Sequence, residues 1–320
     1  MCVTPYEQKA WDEIDRWKKS QLAKKDRSFV PVRVRKAAAQ IGDLAGTAWE
    51  SLPGHEQAEA AIKKALEGSF RAFCDLGNSL IMRERVLRSF RDAGLEVEDF
   101  DGINELDLRD VDEVAPRLSI RYAAASGAQG AGSGFLMGGG TAAAVTGGAA
   151  TGGVGALPPM YAVIGTLVAD TAALITTAFR EVAHYAAYYG YDTRDPGERS
   201  FAMGVLNAAS ATDQAAKTAS FVELRRITSL IARGATWNEL NKRPFVVLLQ
   251  RLYIGLHERL IKRKLAQATL VLGVALGFTI NYRFMSSLGD HAFFLYRERF
   301  LRDKYGLPDE TELPPPYEGA

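Results

Sequence analysis

The stretch that decides the fold runs from residue 122 to residue 179, YAAASGAQGAGSGFLMGGGTAAAVTGGAATGGVGALPPMYAVIGTLVADTAALITTAF. It carries one formal charge, Asp170, in a chain in which 24% of the residues are charged. Twelve of the chain's 30 glycines lie between positions 127 and 155. Such a stretch offers water little beyond its backbone, so we expect it to be buried, either in protein or in lipid.

The glycine-rich part of this stretch has two interpretations. Runs such as 138–140 and 147–148 occur in flexible linkers, but linkers are rich in serine and charge, whereas this segment carries Phe135, Leu136 and Met137. Small residues four apart also let two helix backbones approach closely. The composition favours close helix packing over a free linker.

Residues 156–179 are apolar apart from Asp170. A run of this length can cross a hydrocarbon core of about 30 Å, and it can equally be the central helix of a soluble bundle. A second uncharged run, 265–282, has Gly273 and Gly277 four apart and is short for a crossing. A charge at mid-span is costly in lipid, so Asp170 should face protein or a polar cavity.

The remaining pattern is helical throughout, without the alternation of β-branched residues that marks a sheet. We therefore predict an all-α multi-helix bundle with two glycine- and alanine-rich apolar helical segments, which could form membrane-inserting hairpins. The chain divides into an N-terminal helical region with a basic segment (1–121), the glycine-rich segment with a long helix (122–192), a C-terminal helical region with the second apolar run (193–306) and a disordered tail (307–320).

Local signals place several helix boundaries. Thr4, Pro5 and Glu7 form a capping-box sequence that predicts a helix start. Gly94 should end a helix that begins at Arg83. Further helices are predicted over 112–122, 197–209, 213–233 and 290–304, with a packed loop over 96–112.

The overall charge is almost balanced, with 39 Lys and Arg against 38 Asp and Glu, so no long-range field draws the protein onto nucleic acid. Two cysteines, Cys2 and Cys74, cannot build a disulfide framework, which indicates a reducing compartment. The first residues do not resemble a secretory signal. We expect the protein on the cytoplasmic side of the cell membrane, or in the cytoplasm.

Basic residues are concentrated in two segments, 16–36 and 259–264. Each basic side chain near an anionic membrane surface contributes about 1 kcal/mol to binding, while an equally weighted interpretation is a solvated helix face. The predicted lipid-binding residues are Lys18, Lys19, Lys24, Lys25, Arg27, Arg33, Arg35, Lys262, Arg263 and Lys264.

One polar stripe is predicted on the helix 156–191, because at 100° per residue each of its members lies within about 40° of one common direction: Thr166, Asp170, Thr177, Glu181 and His184. Glu181-x-x-His184 matches half of a di-iron carboxylate pattern, but the chain has no second Glu-x-x-His. Hydrolase and nucleotide-binding motifs are absent too. Asp170, Glu181 and His184 are the candidate catalytic residues, Glu181 and His184 are weak metal candidates, and we expect no cofactor.

Landmarks spread over most of the chain resemble the EcsC family of bacterial proteins. They are Tyr6-Glu7 with Trp11, Leu106-Asp107 to Ala115-Pro116, Asp170, Arg180, Tyr189-Gly190-Tyr191-Asp192, Gly277 to Asn281-Tyr282, and Tyr296-Arg297-Glu298-Arg299-Phe300. The resemblance implies a hydrophobic, helix-rich protein whose namesake is encoded beside the subunits of an ABC transporter. It implies no catalytic residue.

Two functions follow from these patterns. The first is a helical accessory protein that binds the lipid surface at the cytoplasmic face of the membrane and contacts a transporter or another protein. The second is a soluble α-helical enzyme, a hydrolase or a metal-dependent enzyme, with Asp170, Glu181 and His184 lining a pocket. The missing motifs favour the first function over the second.

Overall fold

A computed structural model describes residues 3–23, 72, 74–116, 118–129, 160–211, 214–232 and 270–307, and for 160–168, 170–171 and 270–280 the backbone alone. Within these ranges all regular structure is helical, which confirms the all-α prediction. The helices are α1 (Pro5–Ala23), α2 (Arg83–Asp92), α3 (Phe100–Asn104), α4 (Leu108–Val114), α5 (Met160–Tyr188), α6 (Pro196–Ser210), α7 (Gln214–Ala232) and α8 (Leu270–Tyr305). Residues 74–79 and 118–129 are also helical.

The capping box at the start of α1 is confirmed. The hydroxyl oxygen of Thr4 accepts a hydrogen bond from the Glu7 amide at 3.2 Å, and the Thr4 amide donates to the Glu7 carboxylate at 3.0 Å. Lys304 and Tyr305 also donate to this carboxylate, at 2.9 and 2.7 Å. The cap therefore joins the first helix to the end of the last one.

Helix α8 is the central element, in contact with α1, α4, α5 and α6. The sequence predicts an apolar run and a separate final helix from Asp290, whereas the structure has one helix of 36 residues. No proline interrupts this span, and a glycine such as Gly289 costs a helix only about 1 kcal/mol. The helix ends at Gly306, whose φ of +60° terminates it.

Helices α5 and α8 pack closely because Gly289 has no side chain. A Cβ atom at this position would lie 2.4 Å from Cβ of Ser119 and 2.5 Å from Oε1 of Glu181. The same register brings Tyr185 near Phe293 and Tyr189 near Phe300, with ring centroids 6.4 and 6.3 Å apart. The helical residues 118–129 meet both helices at this point.

The connection over 96–112 contains two short helices instead of the predicted loop. Asp99 caps α3, its carboxylate accepting from the amide of Gly102 at 3.0 Å. The predicted helix 112–122 is interrupted, because the residue before a proline disfavours helical geometry and Ala115 precedes Pro116 with a ψ of 114°. Helix α4 therefore ends at Val114, and a new helix begins after the proline.

The predicted boundaries of α2, α6 and α7 agree with the structure within three residues. Helix α5 ends at a turn through Gly190, whose φ is +83°. A Cβ atom there would lie 2.5 Å from Oδ1 of Asn104, while the side-chain amide of Asn104 donates to the Gly190 carbonyl at 3.1 Å. Glycine is required at this turn for both its backbone conformation and its size.

Buried ion pairs hold the last turns of α8 in place. Arg297 pairs with Asp112 at 2.7 Å, and both side chains are nearly inaccessible to solvent. Arg299 binds Glu198 and lies over the rings of Tyr191 and Phe201, at 4.2 and 4.6 Å from their centroids. These contacts connect α8 with α4, α6 and the turn after α5.

The two apolar segments lie only partly within the described residues. In the described ranges, no helix is both long enough and apolar enough to pass through a bilayer. Residues 130–159 and 265–269, which the predicted membrane-inserting hairpins require, lie outside these ranges, as does the tail from residue 308. The four-region division of the chain stays a prediction.

We expect Gly289→Ala to lower the free energy of unfolding by about 1–3 kcal/mol, the usual cost of adding a methyl group to a tightly packed contact. Gly102→Ala is the matched control, because its Cβ atom would meet its nearest neighbours at an ordinary 3.6 Å. Chemical denaturation of both variants measures the difference. Equal stability of the two variants would contradict the close approach of α5 and α8.

Candidate functional site

The predicted polar stripe on α5 is divided between two neighbouring elements. Glu181 faces inward toward Ser119 and Gly289, whereas His184 faces Tyr122 on the helix 118–129. Thr177 is half-buried and its hydroxyl donates to the Ala173 carbonyl at 2.7 Å. The side chains of Thr166 and Asp170 lie outside the described set.

Glu181 is completely buried, and within the described part of the chain neither carboxylate oxygen has a hydrogen-bond partner. Burial, together with the nearby charge of Asp290, raises the pKa of Glu181 well above its usual range. A buried carboxyl without a donor is most stable when it keeps its proton. The environment of Glu181 therefore favours its protonated, uncharged form over the carboxylate.

His184 and Tyr122 form a second polar pair, with 3.1 Å between the Tyr122 hydroxyl and Nδ1 of His184. Burial, together with the positive charges of Arg180, Arg121 and Arg85, lowers the pKa of His184 to about 4. Burial raises the pKa of Tyr122 to about 12. Both groups are therefore neutral at pH 7.

Three arginines, Arg85, Arg121 and Arg180, lower the pKa of His184 through their positive charge. Their charges all act on the His184 ring, and Cζ of Arg180 lies 6.0 Å from the centroid of the Tyr122 ring. None of the three makes an ion pair with any residue that the structure describes. We call Arg85, Arg121 and Arg180 the arginine cluster.

Sequence reasoning missed the arginine cluster. Arg121 and Arg180 border the uncharged stretch 122–179, and this position was the available signal, but 58 intervening residues conceal that they lie near one ring. Arg85 gave no signal, because α2 carries several arginines of equal appearance. The convergence depends on tertiary packing.

Of the predicted lipid-binding residues, the structure describes Lys18 and Lys19. Lys18 is largely buried and pairs with Glu298, so its ammonium group already has an internal partner. Lys19 is exposed and pairs with Asp15 at 2.6 Å. The remaining eight lie outside the described residues: Lys24, Lys25, Arg27, Arg33, Arg35, Lys262, Arg263 and Lys264.

The metal and catalytic candidates do not form a cluster in the described residues. Across those ranges no three His, Cys, Asp or Glu side chains lie close enough together to hold a metal ion. Glu181 and His184 each have a different environment, one dry and the other lined by arginines. Because Glu181 and His184 lie in separate environments, the positive charges near His184 suit the binding of an anion better than the site suits proton transfer between Glu181 and His184.

Several of the landmark residues make polar contacts with two carboxylates, Asp112 and Asp303. Asp112 accepts hydrogen bonds from the hydroxyls of Tyr6 and Tyr189, at 2.8 and 2.7 Å, in addition to its pairing with Arg297. Tyr191 donates to Asp303 at 2.7 Å. The structure therefore assigns these landmarks to packing.

We expect Glu181→Gln to stabilise the protein at neutral pH, and increasingly so as the pH rises. The folded state holds the Glu181 proton to a higher pH than the unfolded state does. The bound Glu181 proton makes a contribution to the wild-type free energy of unfolding that decreases as the pH rises above about 4.5, the ordinary pKa of glutamate. The glutamine variant lacks this contribution. Thermal unfolding from pH 4.5 to pH 7.5 measures the difference between the two proteins.

The control for this prediction is Glu105→Gln, which changes an exposed carboxylate. Its unfolding temperature should differ from that of the wild type by a constant amount over the same pH range. A Glu181→Gln curve parallel to the wild-type curve would show that Glu181 is ionised in the folded protein.

A comparison with protein-family models matches residues 137–301 to the EcsC protein family. The match covers 165 of the 320 residues (301 − 137 + 1), more than half of the chain, and it includes α5 to α7 and most of α8. No curated protein and no solved structure matches the chain. The resemblance noted in the sequence is confirmed, and the chain belongs to the EcsC protein family.

Proposed function

We propose that this chain is a membrane-associated accessory protein that binds the lipid surface at the cytoplasmic face of the cell membrane. The observation that carries the proposal is the presence of exposed apolar side chains beside the arginine cluster. Met82 is 64% exposed and lies three residues before Arg85, and Ile120 is 59% exposed and directly precedes Arg121.

Two more exposed apolar side chains lie in the same segment as Met82. Leu76 and Leu80 are 51% and 42% exposed. Between them, Gly77 packs on the backbone of α5, where an added Cβ atom would lie 3.1 Å from the Arg180 amide. The exposed apolar residues therefore flank the arginine cluster from two segments, 74–82 and 118–129.

This combination suits the boundary between lipid headgroups and acyl chains. Apolar side chains gain free energy by leaving water, and arginines next to them bind the phosphates of anionic lipids. Contiguous apolar patches on soluble proteins often mark such interaction surfaces, and we propose that these exposed residues form one. Charge complementarity favours an anionic lipid surface as the occupant.

The transporter part of the proposal rests on the family resemblance, since the namesake of the family is encoded beside the subunits of an ABC transporter. We propose that binding at the lipid surface holds the chain next to such a membrane partner. The cytoplasmic location rests on the cysteine usage. The basic residues of 16–36 and 259–264 would add to the attraction for anionic lipid.

We expect the double variant Met82→Asp/Ile120→Asp to lose binding to anionic vesicles by about tenfold or more. Each substitution removes an apolar side chain whose full burial contributes about 1.5–3 kcal/mol, and 1.4 kcal/mol corresponds to tenfold. Vesicle flotation of the full chain, with lipid mixtures of phosphatidylserine and phosphatidylcholine, measures the bound fraction.

Val222→Asp is the matched control, because Val222 is also exposed, at 57%, but lies on α7, which packs against α6 and α1. This variant should bind like the wild type. A wild-type chain that does not float with anionic vesicles would refute the proposal, and so would equal losses in the double variant and the control.

A further inference from the structure

We propose that the arginine cluster, Arg85, Arg121 and Arg180, together with Tyr122 and His184, is a binding site for a phosphate monoester group. The inference deepens the proposed function and rests on it for the source of the phosphate, which would be a lipid headgroup. The chemistry itself is independent of that source, since a free phosphate ester presents the same group.

The three arginines come from three separate elements. Arg180 is half-buried, with Cζ 6.0 Å from the centroid of the Tyr122 ring, while Arg85 and Arg121 are exposed and act on His184 through their charge. Arg180 is one helical turn before His184 on α5, so both project from the same side of that helix. Arg121 is adjacent to Tyr122, whose hydroxyl contacts His184. Arg85 belongs to the first turn of α2, where Arg83 pairs with Asp192 at 2.8 Å and fixes the position of the helix.

The charge of the cluster has no internal counterpart in the described residues. Arg83 pairs with Asp192 and Arg91 pairs with Glu84, but Arg85 and the other two cluster arginines have no acidic partner in the described ranges. Neither His184 nor Tyr122 carries a charge at neutral pH. Arginine is always protonated, so the cluster places three positive charges near a half-buried Tyr122–His184 pair, and solvent screens the exposed Arg85 and Arg121 in part.

An anion balances these positive charges, and the donor geometry selects phosphate. Guanidinium groups bind phosphate oxygens through paired hydrogen bonds, and these charge-assisted bonds are stronger than neutral ones. Nε of Arg180 is buried and has no hydrogen-bond partner within the described structure. A phosphate monoester carries close to two negative charges at pH 7 and three acceptor oxygens, which matches a site with three cations.

The nearest buried acid does not cancel the cluster. Glu181 follows Arg180 directly, and its carboxyl group faces Ser119 and Gly289, about 100° around the helix from Arg180. Burial and the charge of Asp290 raise the pKa of Glu181, and a charge on Glu181 would in turn raise the pKa of Tyr122. Because burial favours the protonated form, Glu181 contributes little negative charge to the arginine cluster.

Titration of the full chain with inorganic phosphate, followed by NMR of the His184 ring, tests the site directly. We expect phosphate to shift the His184 ring resonances in a saturable way. Arg121→Gln and Arg180→Gln should each weaken binding by about tenfold, the loss of one charge-assisted contact. Arg88→Gln, an exposed arginine on α2 that does not act on His184, is the control and should bind like the wild type.

Vesicles distinguish the source of the phosphate. Flotation compares phosphatidic acid, which carries a phosphate monoester, with phosphatidylserine at equal molar fraction in phosphatidylcholine. Stronger binding to phosphatidic acid that is lost in Arg121→Gln and Arg180→Gln supports a lipid headgroup. Binding of inorganic phosphate without binding to any vesicle supports the site and refutes the membrane role.

Two results would overturn the site. One is the absence of a His184 response to inorganic phosphate in the wild-type chain. The other is an equal loss of phosphate binding in Arg88→Gln and in the cluster variants. Vesicle binding that depends on Met82 and Ile120 but not on the arginines would also refute the site, while the proposed function would stand.

Discussion

The fold depends on the buried ion pair between Arg297 and Asp112. Their side chains are 5% and 8% exposed, and the tyrosine hydroxyls of α1 and of the residue after α5 donate to the same carboxylate. One carboxylate thus connects α1, α4, α8 and the end of α5. Removal of one partner from a buried ion pair typically costs 3–5 kcal/mol, roughly, because the other charge is left without compensation.

This constraint sets the rotation of α5 and so the position of the candidate site. With Tyr189 fixed against Asp112 and Phe300, the preceding turns of the helix bring Glu181 inward and His184 toward Tyr122. Gly289 then permits the close approach that keeps water from Glu181. Arg180 and His184, one turn apart on α5, both lie beside Tyr122 of the helix 118–129.

The sequence predicts local features well, because caps and breakers act over a few residues. The capping box at Thr4 and the end of α2 at Gly94 follow from this chemistry, and so does the burial of the C-terminal half of α5. The continuity of α8 was not predicted, because the first half of this helix is apolar and the second half is charged, a change that suggested two separate helices. The arginine cluster was missed because 58 residues separate two of its members, and no local pattern encodes tertiary proximity.

The central claim is that the surface around Ile120 and Arg121 meets the membrane. The most direct measurement places a nitroxide-bearing residue at position 120, or at 222 as a control, and records its accessibility to an aqueous paramagnetic reagent. On addition of anionic vesicles, the account predicts that the label at 120 becomes shielded while the label at 222 stays accessible. Unchanged accessibility at 120 in vesicle-bound protein would contradict the account.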